Sequence, residues 1–370
     1  MKLRLKSTKH NTLIMNTMKK INNTWPTNTK EQPLIIAGPC SAETEEQVME
    51  IAHQLKTTGT SIYRAGIWKP RTRPGMFEGV GAEGLKWLQR VKEETGLRVA
   101  TEVANKDHVN ECLKHGIDVL WIGARTTANP FAVQEIADAL QGVDVPVLVK
   151  NPVNPDVNLW LGAIERLEKA GISNPGAIHR GISPLGKSIY RNNPEWQMPL
   201  ALKEQRPDIL LINDPSHIAG NRQLLAGIAE TAIGLEMEGL MIETHHNPDA
   251  AWSDAAQQIT PQALTVLLAK MKLTTGTAAE VATADLGNMR SSIDYIDEQL
   301  IDLLSYRMQV VAEIGQYKRQ HGMAVIQEER WTELLTKHAS QAAGRNLDGE
   351  FVTQLFNSIH RESVNRQNLV

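Results

Sequence analysis

The chain has 370 residues, of which 41% are hydrophobic and 22% are charged, and its formal net charge is -3. This length allows two domains, and the charge gives no support to bulk attraction to nucleic acid or to a membrane. No apolar stretch approaches the length of a transmembrane helix. The two cysteines, Cys40 and Cys112, cannot form a disulfide framework and suit a protein of the reducing cytoplasm.

Residues 1–32 are basic and rich in Asn and Thr, and they lack the continuous apolar core of a signal peptide. We expect this segment to be disordered. From residue 33 onward, short β-branched runs alternate with amphipathic patterns, as in βα units around a parallel sheet. Eight runs read as strands: "PLIIAG", "SIYRAG", "LRVATEV", "DVLWIGA", "PVLVKN", "GAIHRGI", "DILLIND" and "GLMIET". The pattern predicts an α/β fold, a (β/α)8 TIM barrel over 33–272.

The sequence changes character after the barrel. Residues 273–285 read as a linker of small residues, and 286–370 read as an all-helical domain of one long helix and two shorter ones. A helix that long cannot bury its apolar stripe alone. We therefore expect a homodimer or higher homo-oligomer that forms through the helices.

The carboxyl ends of the predicted strands carry one set of residues with metal-binding chemistry. A barrel places its active site at these ends, and closure brings the first, seventh and eighth strands together. The set offers a thiolate, an imidazole and two carboxylates from Cys40, His217, Glu243 and Asp254. An isolated cysteine is more often a small buried hydrophobe. Together the four favour a divalent transition metal, with Mn preferred and Fe, Co or Zn as alternatives.

A second set of strand-end residues is cationic. It consists of Arg64, Lys69, Arg71, Arg125, Lys150 and Arg180. Six cations at one mouth repel each other unless an anion lies among them, and guanidinium groups match phosphate and carboxylate oxygens. Solvated surface charge is the ordinary explanation of such residues, but Arg125 and Lys150 follow apolar runs directly. The set predicts a small substrate with several acidic groups, at least one of them a phosphate.

These residues lie in motifs that carry a resemblance. "AGPCS", "YRAGIWKPRTRPG", "IGARTT", "VLVKNP", "HRG", "NDPSH" and "IET…SD" resemble the motifs of 3-deoxy-D-arabino-heptulosonate 7-phosphate (DAHP) synthases, in particular the compact subtype. The resemblance covers residues 33 to 270. It implies condensation of phosphoenolpyruvate with erythrose 4-phosphate at a metal held by Cys40, His217, Glu243 and Asp254.

The resemblance also implies a role for each cation. Arg64 and Lys69 would bind the carboxylate of phosphoenolpyruvate, and Lys69 would also transfer protons. The phosphate of phosphoenolpyruvate would contact Arg125, Lys150 and Arg180. Arg71 and Thr72 of "KPRT" would hold erythrose 4-phosphate. The related 3-deoxy-D-manno-octulosonate 8-phosphate synthases share much of this pattern and are the alternative, although "KPRT" favours the four-carbon aldehyde.

Three cations recur along the long predicted helix. Arg290 and Arg307 are 17 residues apart, and Arg307 and Lys318 are 11 apart. This spacing predicts that all three share one face, although a solvated charge stripe would give the same pattern. "MRSSIDYIDEQLIDLLSYR", "IGQYK", "QEER" and "ESVNRQ" resemble the all-helical chorismate mutases, which are intertwined three-helix dimers.

The mutase resemblance implies specific contacts with chorismate and with its product, prephenate. Arg307 and Arg330 would bind carboxylates, with Arg290 reaching in from a partner chain. Lys318 and Gln367 would contact the ether oxygen, assisted by Ser363.

The sequence departs from the mutase pattern at one position, and the role of the helical domain stays open. Trp331 stands where the family often has a glutamate that binds the substrate hydroxyl, which leaves Gln327 or Glu328 as substitutes. The helical domain would thus be a second enzyme, a sensor that binds prephenate and inhibits the barrel, or only a dimerisation module.

Overall fold

The computed structural model describes residues 25, 33–69, 75–143, 145–184, 186, 188–273, 278–345 and 347–369. Contacts within the chain divide it into two compact units, Met1–Asn288 and Met289–Val370. Of the predicted disordered segment 1–32, only Trp25 lies among the described residues. Its indole Nε1 donates a hydrogen bond to the carbonyl of Asn174 (3.1 Å).

Eight parallel strands close into a barrel in sequence order, which confirms the predicted (β/α)8 fold. Each quoted run contains its strand. The strands are β1 Leu34–Gly38, β2 Ile62–Arg64, β3 Arg98–Val103, β4 Val119–Ile122, β5 Val147–Lys150, β6 Gly176–His179, β7 Leu210–Asn213 and β8 Gly239–Glu243. Closure pairs β1 with β8, with Gly38 opposite Glu243. This register brings the first and last strand ends to one point of the mouth.

Helices connect the strands. They are α1 Glu45–Leu55, α2 Glu83–Thr95, α3 Lys106–Lys114, α4 Ala124–Thr127, α5 Pro130–Ala139, α6 Val157–Lys169, α7 Gln197–Gln205, α8 Pro215–Ala219, α9 Arg222–Gly234 and α10 Pro261–Leu273. Several begin at a side chain that accepts a backbone N–H, as polar N-cap residues do. Examples are Thr44, Asn105 and Asp156.

Alternation along the strands separates two apolar layers. In β1, Leu34 and Ile36 belong to the cluster that fills the barrel, whereas Ile35 and Ala37 belong to the layer between strands and helices. This is the period of two expected when successive side chains point to opposite faces of a sheet. The barrel is therefore a packed core, and its chemistry is confined to the end where the strands stop.

The second unit is helical, which agrees with the predicted all-α domain. The helices that follow the barrel are α11 Ala278–Gln320, α12 Glu328–Ala343 and α13 Gly349–Leu369. The long helix begins at Ala278. Residues 278–285, expected to belong to the linker, are thus helical, because this alanine-rich stretch contains no proline to stop the helix. No helix in the described ranges is long and apolar enough to cross a membrane.

Candidate active site

The end of β1 is shaped by a close approach of two backbones. Gly38 has φ +150°, and a Cβ atom there would lie only 2.0 Å from the carbonyl oxygen of Arg64. Only glycine fits such a contact without moving the chain. The glycine lets β1 and β2 end side by side, with Cys40 and Lys69 in reach of each other. Lys69 Nζ lies 2.9 Å from the Cys40 sulfur.

Three of the four predicted metal ligands converge at the mouth. One donor atom each from Cys40, Glu243 and Asp254 lies within 4.8 Å of the others. The Cys40 sulfur is 3.1 Å from Asp254 Oδ2. His217 is nearby, with its Nε2 atom 3.8 Å from Glu243 Oε1. The fold therefore brings together residues that are up to 214 positions apart in the sequence.

Neighbouring side chains hold these four residues in place. Gln258 accepts a hydrogen bond from the Cys40 backbone N–H (3.0 Å) and donates one to the Ser253 carbonyl (2.8 Å), next to Asp254. Asp214 is the N-cap of α8, and its Oδ1 accepts from the His217 backbone N–H (3.1 Å). Its Oδ2 lies 2.8 Å from His217 Nδ1. This contact leaves Nε2 as the imidazole atom nearest to Glu243.

The electrostatics of the group suit a cation. Burial, reinforced by Glu243, raises the pKa of the Cys40 thiol to about 12. Burial would also raise the pKa of Glu243, but His217 and Arg64 outweigh it and lower that pKa. Burial would raise the pKa of Asp254 as well, but Arg191, His217 and Lys69 together lower it. Two ionised carboxylates, a buried thiol and an imidazole form a mixed hard and soft donor set that fits a divalent transition metal.

The predicted cations surround this group. Arg64 Nη1 pairs with Glu243 Oε1 (2.8 Å), and both side chains are buried. Lys150 Nζ pairs with Asp214 Oδ2 (2.8 Å). Arg180 Nη1 donates to Asn192 Oδ1 (2.8 Å). Burial lowers the pKa of Arg180 to about 10, so the group is a cation at neutral pH.

An aromatic ring links two of the cations. Trp121 is fully buried, with the guanidinium carbon of Arg64 4.8 Å and the ammonium of Lys150 6.0 Å from its ring centroid. Its indole Nε1 donates to Glu102 Oε2 (2.8 Å). Arg125 lies at the start of α4, near enough to Arg180 to lower its pKa. Arg71 and Thr72 lie outside the described residues.

The helical unit brings part of the predicted mutase set together. Arg307 Nη1 donates to the Ser363 hydroxyl (2.6 Å), and Gln367 Nε2 lies 3.4 Å from the Ser363 carbonyl. The Gln367 Oε1 atom is buried and has no hydrogen-bond partner among the described residues. Lys318 Nζ donates to the Val325 carbonyl (2.7 Å). A buried amide oxygen on a residue that shares Ser363 with Arg307 is a polar arrangement that a ligand can complete.

One mutase expectation changes in the structure. On a continuous helix, 11 residues place Arg307 and Lys318 about 20° apart, but 17 residues place Arg290 about 100° from Arg307. The expectation that all three share one face is therefore wrong for Arg290, whose side chain lies outside the described part of the chain. Arg330 pairs with Glu333 of its own helix.

Trp331 makes a contact that the sequence did not predict. Its ring stacks on that of His360, with centroids 3.8 Å apart and an interplanar angle of 12°. Burial, together with Arg307 and Lys318, lowers the pKa of His360. The His360 imidazole, which stacks on Trp331, is therefore neutral and lies near Arg307 and Lys318.

Comparison with known proteins assigns both units. The family model for the DAHP synthetase I family matches residues 18–279. The chain belongs to the DAHP synthetase I family. A second model, chorismate mutase type II, matches residues 289–368. The chain is therefore an enzyme with a DAHP synthase domain and a chorismate mutase domain, and its role lies in the shikimate pathway.

Individual relatives agree with the family assignment. The chain is 32% identical over 238 residues to a phospho-2-dehydro-3-deoxyheptonate aldolase of Thermotoga maritima, covering 64% of this chain and 68% of the relative. The crystal structure of the Thermotoga maritima DAHP synthase superposes with a TM-score of 0.60 at 30% identity, over 65% of this chain and 69% of that one. A 2-dehydro-3-deoxyphosphooctonate aldolase of Wolinella succinogenes is 28% identical over 256 residues, covering 64% of this chain and 96% of the relative.

Several residues of the DAHP synthase site were missed in the sequence. Asp214 stood out only as a strand end, although the "NDPSH" motif contains the signal of an N-cap three residues before His217. Arg191 and Gln257 lie in loops without periodicity. Arg191 donates to Asp254 Oδ1 (2.9 Å), and Gln257 donates to Glu243 Oε2 (2.7 Å). No local signal marks either residue, because Arg191 reaches Asp254 and Gln257 across more than 60 residues of sequence.

Proposed function

We propose that the barrel condenses phosphoenolpyruvate with erythrose 4-phosphate. A bond forms between C3 of phosphoenolpyruvate and the aldehyde carbon. Water adds at C2, the bond from C2 to the phosphate oxygen breaks, and DAHP and inorganic phosphate leave. The observation that carries this proposal is the convergence of Cys40, Glu243 and Asp254 within 4.8 Å, in a mouth lined by buried cations.

The cations bind and orient the two anionic substrates. Arg125, Lys150 and Arg180 hold the phosphate of phosphoenolpyruvate, and Arg64 and Lys69 hold its carboxylate. Both parts of the substrate are thereby fixed, which leaves C3 free to react with the aldehyde. Arg71 and Thr72 bind erythrose 4-phosphate. Lys69 also transfers protons, because its ammonium already lies 2.9 Å from a second polar group of the site, the Cys40 sulfur.

Cys40, His217, Glu243 and Asp254 hold the divalent metal, with Mn²⁺ as the preferred ion and Fe, Co or Zn as alternatives. The bound ion supplies Lewis acidity toward the aldehyde oxygen. Cys40 would hold the ion as a thiolate and would therefore give up its proton when the ion binds, since thiols bind metals as thiolates. Asp214 keeps His217 oriented throughout.

The reaction and the metal are tested together on the purified full chain. We expect DAHP formation to stop after chelation and to return on addition of Mn²⁺. Cys40→Ser should lose both bound metal and activity, whereas Cys112→Ser, a change at the other buried cysteine, should keep both. Full metal content and activity in Cys40→Ser would show that the ligand assignment is wrong.

The octulosonate reaction is the second candidate for the barrel. It is kept because the relative from Wolinella succinogenes, and others at 26–27% identity, are named 2-dehydro-3-deoxyphosphooctonate aldolases. Assays with arabinose 5-phosphate beside erythrose 4-phosphate distinguish the two. A higher kcat/KM for arabinose 5-phosphate would reject the heptulosonate assignment.

The helical unit rearranges chorismate to prephenate in this proposal. Arg307 and Arg330 bind carboxylates, with Arg290 contributed by a partner chain. Lys318 and Gln367 contact the ether oxygen, and Ser363 assists. The supporting observation is the buried Gln367 Oε1 beside the Arg307–Ser363 hydrogen bond. The rearrangement needs orientation and charge stabilisation rather than covalent help, and such a site can supply both.

We further propose that prephenate bound to the helical unit inhibits the barrel. The shared chain gives a physical route for such coupling, since a ligand that prefers one arrangement of two units shifts the population toward it. The alternative is a helical unit that only joins copies of the chain. Large apolar side chains support self-association, since Ile301, Leu303 and Tyr306 are each more than 60% exposed on α11.

A further inference from the structure

Arg191 pairs with the carboxylate of one predicted metal ligand and reaches that of a second through one side-chain amide. It belongs to the long loop between β6 and α7. Its Nη1 atom donates to Asp254 Oδ1 (2.9 Å) and to Gln257 Oε1 (2.6 Å). Gln257 connects Arg191 to Glu243, because its Nε2 donates to Glu243 Oε2 (2.7 Å). One guanidinium therefore fixes Asp254 directly and Glu243 through a single amide.

Arg191 and Gln257 each hold one oxygen of a carboxylate, and the other oxygen meets further groups of the site. Asp254 gives Oδ1 to Arg191, and its Oδ2 lies 3.1 Å from the Cys40 sulfur. Glu243 gives Oε2 to Gln257, and its Oε1 pairs with Arg64 Nη1 (2.8 Å) and lies 3.8 Å from His217 Nε2. In each carboxylate, the second oxygen lies near an atom of another predicted metal ligand. Such outer contacts set the orientation of metal-binding carboxylates.

The backbone of Asp254 has an unfavourable conformation that the contact with Arg191 helps to stabilise. Its φ of +50° lies in the left-handed region, which residues other than glycine rarely adopt. Asp tolerates that conformation better than most residues. The cost is offset when surrounding contacts determine the geometry, as happens at binding sites. The Arg191 ion pair is one such contact.

The Arg191 segment is itself fixed to the fold. The backbone of the next residue, Asn192, donates to the Ile218 carbonyl (3.2 Å), and its side-chain amide donates to the His217 carbonyl (2.6 Å). Gly220, at φ +68°, leaves the room that Arg191 occupies, since a Cβ there would lie 2.4 Å from Arg191 Cβ. Arg191 therefore approaches Asp254 from a defined position.

We propose that Arg191 and Gln257 are positioning residues of the metal centre, which orient Asp254 and Glu243 without contacting the ion. This inference rests on the proposed metal-dependent reaction and adds two residues to its machinery. The competing role for Arg191 is a direct contact with a substrate phosphate. The two roles differ in what the residue controls, namely metal affinity or substrate KM.

The test measures Mn²⁺ binding by calorimetry on the chelator-treated full chain, without substrates. In Arg191→Met, we expect the Kd for Mn²⁺ to rise about 10- to 100-fold, the usual loss when an outer contact of a metal site is removed. Arg191→Lys keeps the charge and should give an intermediate Kd. At saturating Mn²⁺, the KM values for both substrates should equal those of the wild type.

Arg206→Met is the matched control. Arg206 also pairs with two carboxylates, Glu168 and Asp208, but it precedes β7 and so lies at the opposite end of the barrel. This variant should bind Mn²⁺ as the wild type does. Gln257→Met provides a second variant that leaves the Arg191–Asp254 pair intact, and we expect it to weaken Mn²⁺ binding as well.

The outcomes separate this inference from the proposed function. A wild-type chain that binds no Mn²⁺ or forms no DAHP would overturn both. If the wild type binds Mn²⁺ and turns over, unchanged Mn²⁺ affinity in Arg191→Met and Gln257→Met overturns only the positioning role. Unchanged affinity with a raised KM would instead assign Arg191 to the substrate site.

Discussion

The Asp214 carboxylate contacts His217 twice: Oδ1 accepts the backbone N–H of His217, and Oδ2 lies 2.8 Å from its Nδ1 atom. The helix cap and the orientation of the imidazole thus depend on one side chain. The same Oδ2 atom lies 2.8 Å from Lys150 Nζ. Burial would raise the pKa of Asp214, but His217 and Lys150 hold it well below its usual range. Asp214 therefore joins a predicted metal ligand to a predicted phosphate-binding cation.

The first prediction concerns this carboxylate. Asp214→Asn keeps an N-cap acceptor but removes the negative charge beside His217 Nδ1. We expect the Kd for Mn²⁺ to rise about 10- to 100-fold, measured by titration of the metal-free protein. Asp156→Asn is the control, because Asp156 caps α6 in the same way through the Leu159 N–H. Equal Mn²⁺ affinity in the two variants would contradict the role of Asp214.

The second prediction concerns stability. Lys150 and Asp214 form a pair in which the side chains are only 4% and 1% exposed. Lys150→Met leaves the buried carboxylate without its ammonium partner, which should lower the free energy of unfolding by about 3–5 kcal/mol in denaturant titrations. Lys86→Met breaks the exposed pair with Glu83, and its effect should stay within about 0.5 kcal/mol. Similar losses in both variants would count against a buried ion pair.

The third prediction concerns the helical unit. Arg307→Met removes the guanidinium that contacts Ser363, and we expect the kcat of the mutase to fall about 10²- to 10³-fold. Inhibition of DAHP formation by prephenate should disappear in the same variant. Arg319→Met, a change at an exposed residue of the same helix, should retain both properties. If Arg307→Met changes neither, the helical unit only joins copies of the chain.

The fourth prediction concerns pH. His179 is fully buried, its Nδ1 lies 3.0 Å from Asn213 Nδ2, and burial lowers its pKa to about 4. The unfolded chain, with an ordinary His pKa near 6.5, binds more protons than the folded one between these values. Above about pH 6.5, the titration of His179 does not change the free energy of unfolding. Below about pH 4, it lowers that free energy by about 3 kcal/mol.

The pH prediction is measured as a difference between two proteins. The free energy of unfolding is determined from pH 7 to pH 4 for the wild type and for His179→Gln, which cannot titrate. We expect a steeper loss in the wild type on acidification. Parallel curves would mean that His179 titrates normally.

The fifth prediction concerns assembly. Leu303 is 64% exposed on α11, where an apolar side chain gains little unless a partner covers it. Leu303→Glu should convert the proposed homodimer into a monomer in sedimentation experiments. Glu313→Gln, a change at an exposed polar position of the same helix, should leave the assembly unchanged. A monomeric wild type would reject the dimer.

The sequence determined the barrel and most of its site because both follow from local rules. Strand runs and helical patterns alternate along the chain, and a parallel barrel brings the residues at the carboxyl ends of its strands together. Cys40, Glu243 and Asp254 could therefore be grouped before any contact was known. The helical domain was equally readable from its periodicity.

The tertiary structure decided which side chains touch. Arg191 and Gln257 lie in loops whose sequence has no period, so only their long-range contacts identify them. The pairing of Lys150 with Asp214 and the Trp331–His360 stack are also contacts between segments that no local pattern connects. Local periodicity determines the strands and helices, and with them the strand ends at which the functional residues lie. The partners at those ends depend on how distant loops pack in three dimensions.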